Sequence, residues 1–170
     1  SLILPVAAEA TTAYALDFDA MSSISERIVV ARVSSVFTEA QVKPRKIETV
    51  IQLEVKECLK GPCDSTLELR QLGGTYQFAD GVFTQKVPGL PSFHVGERVV
   101  LFLERTDTKI LVVTGLAQGK LRLVGSPDDG RLVRDLRGLN LLPPTGKFFR
   151  ETKVRVPLPK RLDVLRALLG

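Results

Sequence analysis

The strongest pattern in the chain is an alternation of apolar and polar side chains between Lys46 and Gly61. One parity is mostly apolar and includes Ile47, Thr49, Ile51, Leu53, Val55 and Leu59. The other parity carries charges or an amide at Glu48, Gln52, Glu54, Lys56 and Lys60. A period of two predicts a β-strand with one buried face and one solvent-facing face. A β-strand rises about 3.3 Å per residue, so a strand that extends over this whole segment is longer than most strands. We therefore predict that it coils or bulges around a small barrel.

Two further segments have the composition of strands that are covered on both faces. Glu26–Phe37 is rich in β-branched residues, and its Ile28–Ala31 portion is apolar on both parities. The VVLFL run within Arg98–Leu103 is also continuously apolar, which is typical of a central strand. Shorter patterns between turn signals predict strands over Ser65–Leu72, Lys109–Thr114, Lys120–Val124 and Arg131–Leu136.

Helical periodicity appears near the two ends of the predicted domain. Asp17–Ser25 has apolar residues three apart behind an aspartate that suits an N-cap, which predicts a short amphipathic helix. Pro159–Leu169 places its leucines on one stripe and predicts a closing helix. The predicted fold class is therefore mainly all-β, an OB-like small β-barrel with a short N-terminal helix and a C-terminal helix. We assign residues 1–16 to an N-terminal extension and residues 17–170 to this single domain.

Three segments between the regular patterns are predicted to be loops or insertions. Gly73–Phe93 contains the turn signal Asp80-Gly81 between TYQF and VFTQKV, which predicts a long inserted hairpin or loop. Thr38–Arg45 is predicted to be a polar loop, and the basic cluster at its tip comprises Lys43, Arg45 and Lys46. Gly138–Arg150 is predicted to be loop-like.

The two cysteines, Cys58 and Cys63, are separated by Leu-Lys-Gly-Pro, a turn that brings two Cα atoms within disulfide range. The redox spacing C-x-x-C is missing, and the single histidine, His94, is too few to complete a typical zinc site. We therefore predict a disulfide, with no metal and no cofactor. Because such thiols stay reduced in the cytosol, the disulfide predicts a secreted, periplasmic or cell-surface protein.

The charge distribution adds a basic C-terminal region without identifying a partner for it. The formal net charge is +5, and residues 138–170 alone hold seven bases and two acids. Such a region suits nucleic acid, an anionic membrane surface or an acidic partner, whereas a solvated basic face is the simpler interpretation. The exposed parity of the predicted strands mixes both signs of charge without a stacking ring, which argues against nucleic-acid binding. No apolar run has the roughly 18 residues of a membrane-spanning helix.

The first residues, SLILPVAAEATTA, are consistent with two interpretations. An apolar stretch followed by Ala8-Glu9-Ala10 is similar to the end of a secretory signal with its A-x-A site. Alternatively, Leu2–Val6 is a strand of the mature protein that adds to the sheet edge of a neighbouring chain and mediates self-assembly. Both interpretations stay open.

Three strand-end motifs carry a resemblance to a known family. They are Val55–Gly61 (VKECLKG), Gly96–Leu103 (GERVVLFL) and Gly115–Lys120 (GLAQGK). Together with the Ile28–Val33 strand, they resemble the netrin/TIMP-like OB-fold module, and most of all secreted bacterial proteins of that pattern. The resemblance covers roughly residues 17–136 and implies an OB-like fold and secretion. In this family, metalloprotease inhibition needs an N-terminal cysteine that chelates the catalytic zinc, and no cysteine precedes Cys58.

Catalytic motifs are weak in this chain. Any serine or cysteine triad would have to use His94, which lies in a predicted turn, and no serine stands in a G-x-S-x-G motif. We therefore predict a protein that is not an enzyme, and a hydrolase is the least favoured alternative.

The leading functional prediction is a protein-binding module with an unidentified protein ligand. Its candidate binding loop is Gly73–Phe93, since binding residues concentrate on loops over a rigid scaffold. The candidate residues in that loop are Tyr76, Phe78, Asp80 and Phe83. The basic tip at Lys43, Arg45 and Lys46 is a second candidate surface. The alternatives are that the aromatic residues pack over the barrel end as a lid, and that the chain is an assembly subunit acting through its N-terminal segment.

Overall fold

The computed structural model describes residues 10–143 and 157–170, and it is mainly β. The strands are β1 (Thr11–Tyr14), β2 (Arg27–Gln41), β3 (Lys46–Lys60), β4 (Thr66–Leu72), β5 (Gly74–Phe78), β6 (Gly81–Gln85), β7 (Arg98–Arg105), β8 (Leu111–Val113), β9 (Lys120–Val124), β10 (Arg131–Val133) and β11 (Leu139–Leu142). The helices are α1 (Phe18–Ile24) and α2 (Leu162–Leu169), with a short 3-10 helix at Leu116–Gly119. None of the helices in the described ranges is long and apolar enough to cross a membrane.

One antiparallel sheet of seven strands forms the body of the molecule. Its order is β10-β9-β7-β2-β3-β4, and β8 pairs with the distal end of β7. Strands β4 and β8 approach each other, but no ladder joins them within the described residues. The mainly β fold class with two helices is confirmed. The sheet is not closed, so the predicted barrel is not confirmed.

The long strand β3 behaves largely as its alternation predicts. Ile47, Ile51 and Leu53 are buried, while Gln52 and Glu54 between and beyond them are exposed. The β2–β3 ladder contains register shifts between Ile28/Val29, Val30/Ala31 and Val33/Ser35. These irregularities confirm that so long a strand bulges, since a bulge bends and twists a strand locally. Val50 departs from the pattern, because it is fully buried on the polar parity.

Strands β2 and β7 are covered on both faces, as their continuous apolar runs predict. On one face, Ile28 and Phe102 join a core cluster with α1 and α2, whose other buried members include Met21, Leu162 and Leu165. On the opposite face the alternate residues join a second cluster that comprises Val29, Ala31, Val33, Ile51, Leu53, Leu69, Phe93, Val99, Leu101, Leu103 and Leu111. The two central strands thus separate two apolar cores.

Helix α1 begins where its predicted cap places it. The Asp17 carboxylate accepts a hydrogen bond from the Ala20 backbone N–H at 2.9 Å, which satisfies one free donor of the first turn. Helix α2 ends at Leu169 as predicted and begins at Leu162, three residues after the predicted start.

Two predicted loops are wrong in part. Within Thr38–Arg45, strand β2 continues to Gln41, because Thr38–Gln41 pair with Lys46–Thr49 across the turn. Within Gly138–Arg150, residues Leu139–Leu142 form β11, which pairs in parallel with β1. The partner strand lies more than a hundred residues away in sequence, so no local pattern indicates the pairing. The predicted N-terminal strand at Leu2–Val6 lies outside the described residues.

The Cys58–Cys63 disulfide is present, with its Cα atoms 5.6 Å apart. Gly61, in the turn that the bond closes, has φ +80, in the left-handed region that glycine adopts without strain. The predicted disulfide is therefore confirmed.

Candidate functional site

The Gly73–Phe93 segment contains an antiparallel hairpin formed by β5 and β6. Phe78 pairs with Gly81, and Tyr76 pairs with Phe83 two residue pairs further along the ladder. Only Ala79 and Asp80 separate the two strands, and Gly81 follows with φ +143. A glycine after the turn suits this geometry, because residues with a Cβ rarely adopt a positive φ. The structure thus contains the hairpin that the Asp80-Gly81 signal predicts.

Three aromatic side chains of the hairpin meet on one of its faces. The ring centroids of Tyr76 and Phe78 are 4.9 Å apart, and those of Phe78 and Phe83 are 5.5 Å apart. Both pairs have edge-to-face geometry, in which the positive edge of one ring meets the negative face of the other. Period-two spacing puts Tyr76 and Phe78 on one face, and cross-strand pairing places Phe83 beside them.

Arg45, from the β2–β3 turn, joins this aromatic cluster. Its guanidinium carbon lies 4.7 Å from the Phe78 centroid and 4.2 Å from the Phe83 centroid, both within cation–π range. The same guanidinium donates a hydrogen bond of 2.9 Å to the carboxylate of Asp80. This bond holds the pKa of Asp80 below its ordinary value. The basic tip and the aromatic hairpin, predicted as separate surfaces, therefore share one cluster through Arg45.

The other two basic residues of the tip lie apart from this cluster. Lys46 forms an ion pair of 2.8 Å with Glu48 of its own strand. Lys43 is exposed in the turn. Of the three predicted tip residues, Arg45 is the one that the described contacts join to the hairpin.

The aromatic residues differ in exposure. Phe78 is buried, at 7% of its full accessible surface, among Tyr76, Phe83 and Arg45. Phe83 is 36% exposed, and its neighbour Val82 is 64% exposed. Tyr76 is half-buried, and Asp80 is exposed. We name the set Tyr76, Asp80, Val82 and Phe83 the hairpin surface.

The base of the hairpin is fastened to the main sheet. The Gly73 N–H donates to the Ile47 carbonyl at 2.9 Å, and the Thr49 hydroxyl donates to the Gly73 carbonyl at 2.8 Å. A Cβ on Gly74 would approach the Thr49 hydroxyl to 2.9 Å, so the two segments lie against each other. Anchored at its base and at Arg45, the hairpin presents the hairpin surface in a fixed orientation.

A second feature is a cleft of about 810 Å³ beside β9, which sequence reasoning missed. At its wall the Lys120 ammonium donates to the Glu97 carboxylate at 2.8 Å and lies 4.6 Å from the Phe93 ring centroid. Burial lowers the pKa of Lys120, although Glu97 opposes this effect. Lys120 also donates to the Ser92 carbonyl, so this ion pair ties the segment before β7 to β9. No local signal joins Glu97 to Lys120, because the two residues are distant in sequence.

The remaining chemistry of the cleft lies on its rim. The side chain of His94 is 78% exposed, and its Nδ1 is 3.9 Å from the Glu97 carboxylate. Arg137 bonds Asp135 and lowers the pKa of that carboxyl group to about 2. In residues 10–143 and 157–170 there is no group of three or more histidine, cysteine, aspartate or glutamate side chains suited to a metal ion.

Comparison with known proteins finds no matching family model, no matching curated protein and no matching solved structure. The resemblance to the netrin/TIMP-like module therefore stays a prediction.

Proposed function

We propose that this protein is a secreted or periplasmic, non-enzymatic protein-binding module that recognises its partner with the hairpin surface. The observation that carries the proposal is the pairing of exposed apolar side chains with a rigid support. Val82 and Phe83 are exposed at 64% and 36% on opposite faces of β6, while Phe78, on the Phe83 face, is buried under the Arg45 guanidinium. Aromatic and arginine residues that are held in place before binding lose little conformational freedom in a complex, and they are typical of interface anchors.

The composition of the hairpin surface supports a protein ligand. It presents the Phe83 ring and, through Arg45, the Asp80 carboxylate on one face of β6, and the branched Val82 side chain on the other. Interfaces commonly have an apolar centre with a polar rim of this kind. A nucleic-acid ligand is less well matched, because β6 itself carries no basic residue.

Two further parts of the proposal concern compartment and fold. The disulfide supports an oxidising compartment, since paired cysteines are rare in cytosolic proteins. The proximity of β4 and β8 supports an OB-like arrangement in which the sheet curls toward closure.

Affinity capture tests this proposal. The wild-type chain, a Val82→Ser/Phe83→Ser variant and a Val164→Ser control are immobilised and exposed to the secreted and periplasmic proteins of the source cells. Val164 is 45% exposed on α2, so the control removes a similar exposed apolar group elsewhere on the surface. We expect a protein that the wild type and the control retain and that the hairpin variant loses. Equal retention by all three would overturn the assignment of the surface.

A further inference from the structure

The outer edge of β6 is an exposed and unpaired strand edge in the described part of the molecule. Because only two residues separate Phe78 from Gly81, these two residues must exchange both of their backbone hydrogen bonds. Alternation along the ladder then makes Tyr76–Phe83 the next bonded pair. It follows that Val82 and Thr84 direct their N–H and C=O groups away from β5.

No other described strand accepts those groups. The sheet that contains β6 has two strands, and no described backbone hydrogen bond from elsewhere reaches Val82 or Thr84. Every residue from Val82 to Gln85 is exposed. Unpaired groups in an extended strand form a template for the addition of another strand.

The end strands of the large sheet are managed differently. At β10, the Leu132 N–H donates to the Lys160 carbonyl at 2.8 Å, so the segment before α2 covers that edge. At β4, the edge carries Glu68 and Arg70, and Arg70 also bonds Glu39 at 2.7 Å. Strand β6 has neither protection, since Gly81–Gln85 contains no charged residue and no proline.

We propose that β6 pairs with β6 of a second copy of this chain, in antiparallel orientation around a two-fold axis at Phe83. In this register Val82 of one copy exchanges backbone hydrogen bonds with Thr84 of the other, and the two Phe83 side chains lie directly opposite each other. The axis is normal to the sheet, so the aromatic faces of both hairpins lie on the same side. A four-stranded sheet results, and the interface is the same patch on both copies.

Charge complementarity favours this occupant. Asp80 and Lys86 stand three residues on either side of Phe83, so the two-fold axis brings Asp80 of each copy to Lys86 of the other. The Asp80 side chain remains 60% exposed despite its bond to Arg45, and Lys86 is exposed. Opposite charges across adjacent strands stabilise a pair, and like charges destabilise it. The strand between them, Gly81–Gln85, contains no charged residue of its own.

The inference rests on the proposed function, because both take the hairpin as the binding region. It differs in that the backbone edge of β6 makes the contact and the partner is a second copy of the chain.

Sedimentation velocity over a concentration series tests it with the wild type, Thr84→Pro and Thr84→Val. Proline at position 84 removes an N–H group that points away from β5. The hydrogen bonds between β5 and β6 do not use this group, so they are all retained. Both variants lose the hydroxyl contact with Thr75, so valine is the matched control. We expect concentration-dependent dimers for the wild type and Thr84→Val, and loss of dimer for Thr84→Pro.

A charge exchange keeps the inference testable should Thr84→Pro disturb the hairpin. Lys86→Glu places two acids opposite each other in its own dimer. Asp80→Lys places two bases opposite each other and also removes the bond to Arg45, a loss that mixing with Lys86→Glu does not restore. Each variant alone should dimerise about tenfold more weakly than the wild type, whereas an equal mixture should form the heterodimer, in which both pairs are attractive. Wild type that stays monomeric throughout, or a mixture without preference for the heterodimer, would overturn the inference. The capture experiment reports independently on a different protein partner, so the two proposals can fail separately.

Discussion

At the scale of single residues, Arg45 joins two surfaces that are distant in the sequence. Its guanidinium lies over Phe78 and Phe83 and bonds Asp80. These contacts explain why the hairpin has a fixed position over the β2–β3 turn. They also explain why the tip does not present three free cations to an acidic ligand.

Replacing Arg45 with alanine should loosen the hairpin. We expect a loss of about 0.5–1 kcal/mol in the free energy of unfolding, because a partly exposed cation–π contact is lost. Urea denaturation measures this change, and Lys43→Ala is the matched control, with no expected effect. An equal loss in the control would contradict the role given to Arg45.

The same substitution should change the titration of Asp80. Because Arg45 lowers the pKa of Asp80 in the folded state, the pair's contribution to stability is present above the unfolded-state pKa. It is lost as the pH falls through the lower folded-state pKa. We expect Arg45→Ala to raise the pKa of Asp80 toward its ordinary value, as followed by NMR titration of the side-chain carboxyl group. An unchanged pKa would contradict the ion pair.

The ion pair between Lys120 and Glu97 should be structurally important. Both side chains are nearly buried, at 11% and 10% exposure. Lys120→Met should therefore lower the free energy of unfolding by about 2–3 kcal/mol, because it leaves the Glu97 carboxylate unpaired and with little solvent. The loss is smaller than for a fully buried ion pair. The double variant Lys120→Met/Glu97→Leu should recover most of that loss in chemical denaturation. Additive losses in the double variant would show that the two residues act independently.

Residue-scale predictions from the sequence succeeded where partners are close along the chain. The Cys58–Cys63 bond and the Asp17 cap span five and three residues, so spacing alone indicates them. The contacts of Arg45 and Lys120 depend on how distant elements fold together. Composition reveals the arginine and the aromatic rings but not that they meet.

At the scale of elements, the disulfide closes a short turn at the end of β3. Replacing both cysteines with serine should lower stability by about 2 kcal/mol, because closing so small a loop removes little chain entropy from the unfolded state. The β-sheet signal in circular dichroism should persist below the new, lower melting temperature. Global unfolding at room temperature would contradict the view that two apolar cores hold the sheet.

The two phenylalanines of the hairpin should respond differently to truncation. Phe78 is buried and Phe83 is partly exposed, so Phe78→Ala should destabilise the protein by roughly 2 kcal/mol more than Phe83→Ala. Thermal and denaturant unfolding of the two variants provides the comparison. Equal losses would mean that Phe83 is also part of the packed interior and is not available to a ligand.

Element prediction followed the reach of the local pattern. Long alternating or continuous runs located β2, β3 and β7, and the Asp80-Gly81 signal located the hairpin. Strand β11 was missed because four residues carry little periodicity, and its pairing with β1 is decided by the tertiary fold. The extension of β2 to Gln41 was missed because its side chains are mostly polar, although its backbone pairs with β3.

At the scale of the whole molecule, the central strands explain the architecture. Because β2 and β7 are apolar on both faces, they require cover on both, which α1 and α2 supply on one face and the curl of the sheet supplies on the other. The hairpin is an addition to this body, fastened at its base and at Arg45. The sequence indicated which strands were central. It did not indicate that β4 and β8 approach each other without pairing, because this depends on the curvature of the complete sheet.

Hydrogen–deuterium exchange with and without the captured partner tests the central claim most directly. The claim is that the hairpin surface is where this protein binds another protein. We predict that amide exchange slows across residues 74–86 when the partner is added at fixed protein concentration, while the core strands β2 and β7 are unchanged. Protection confined to the Lys120 cleft, with the hairpin unaffected, would contradict the claim.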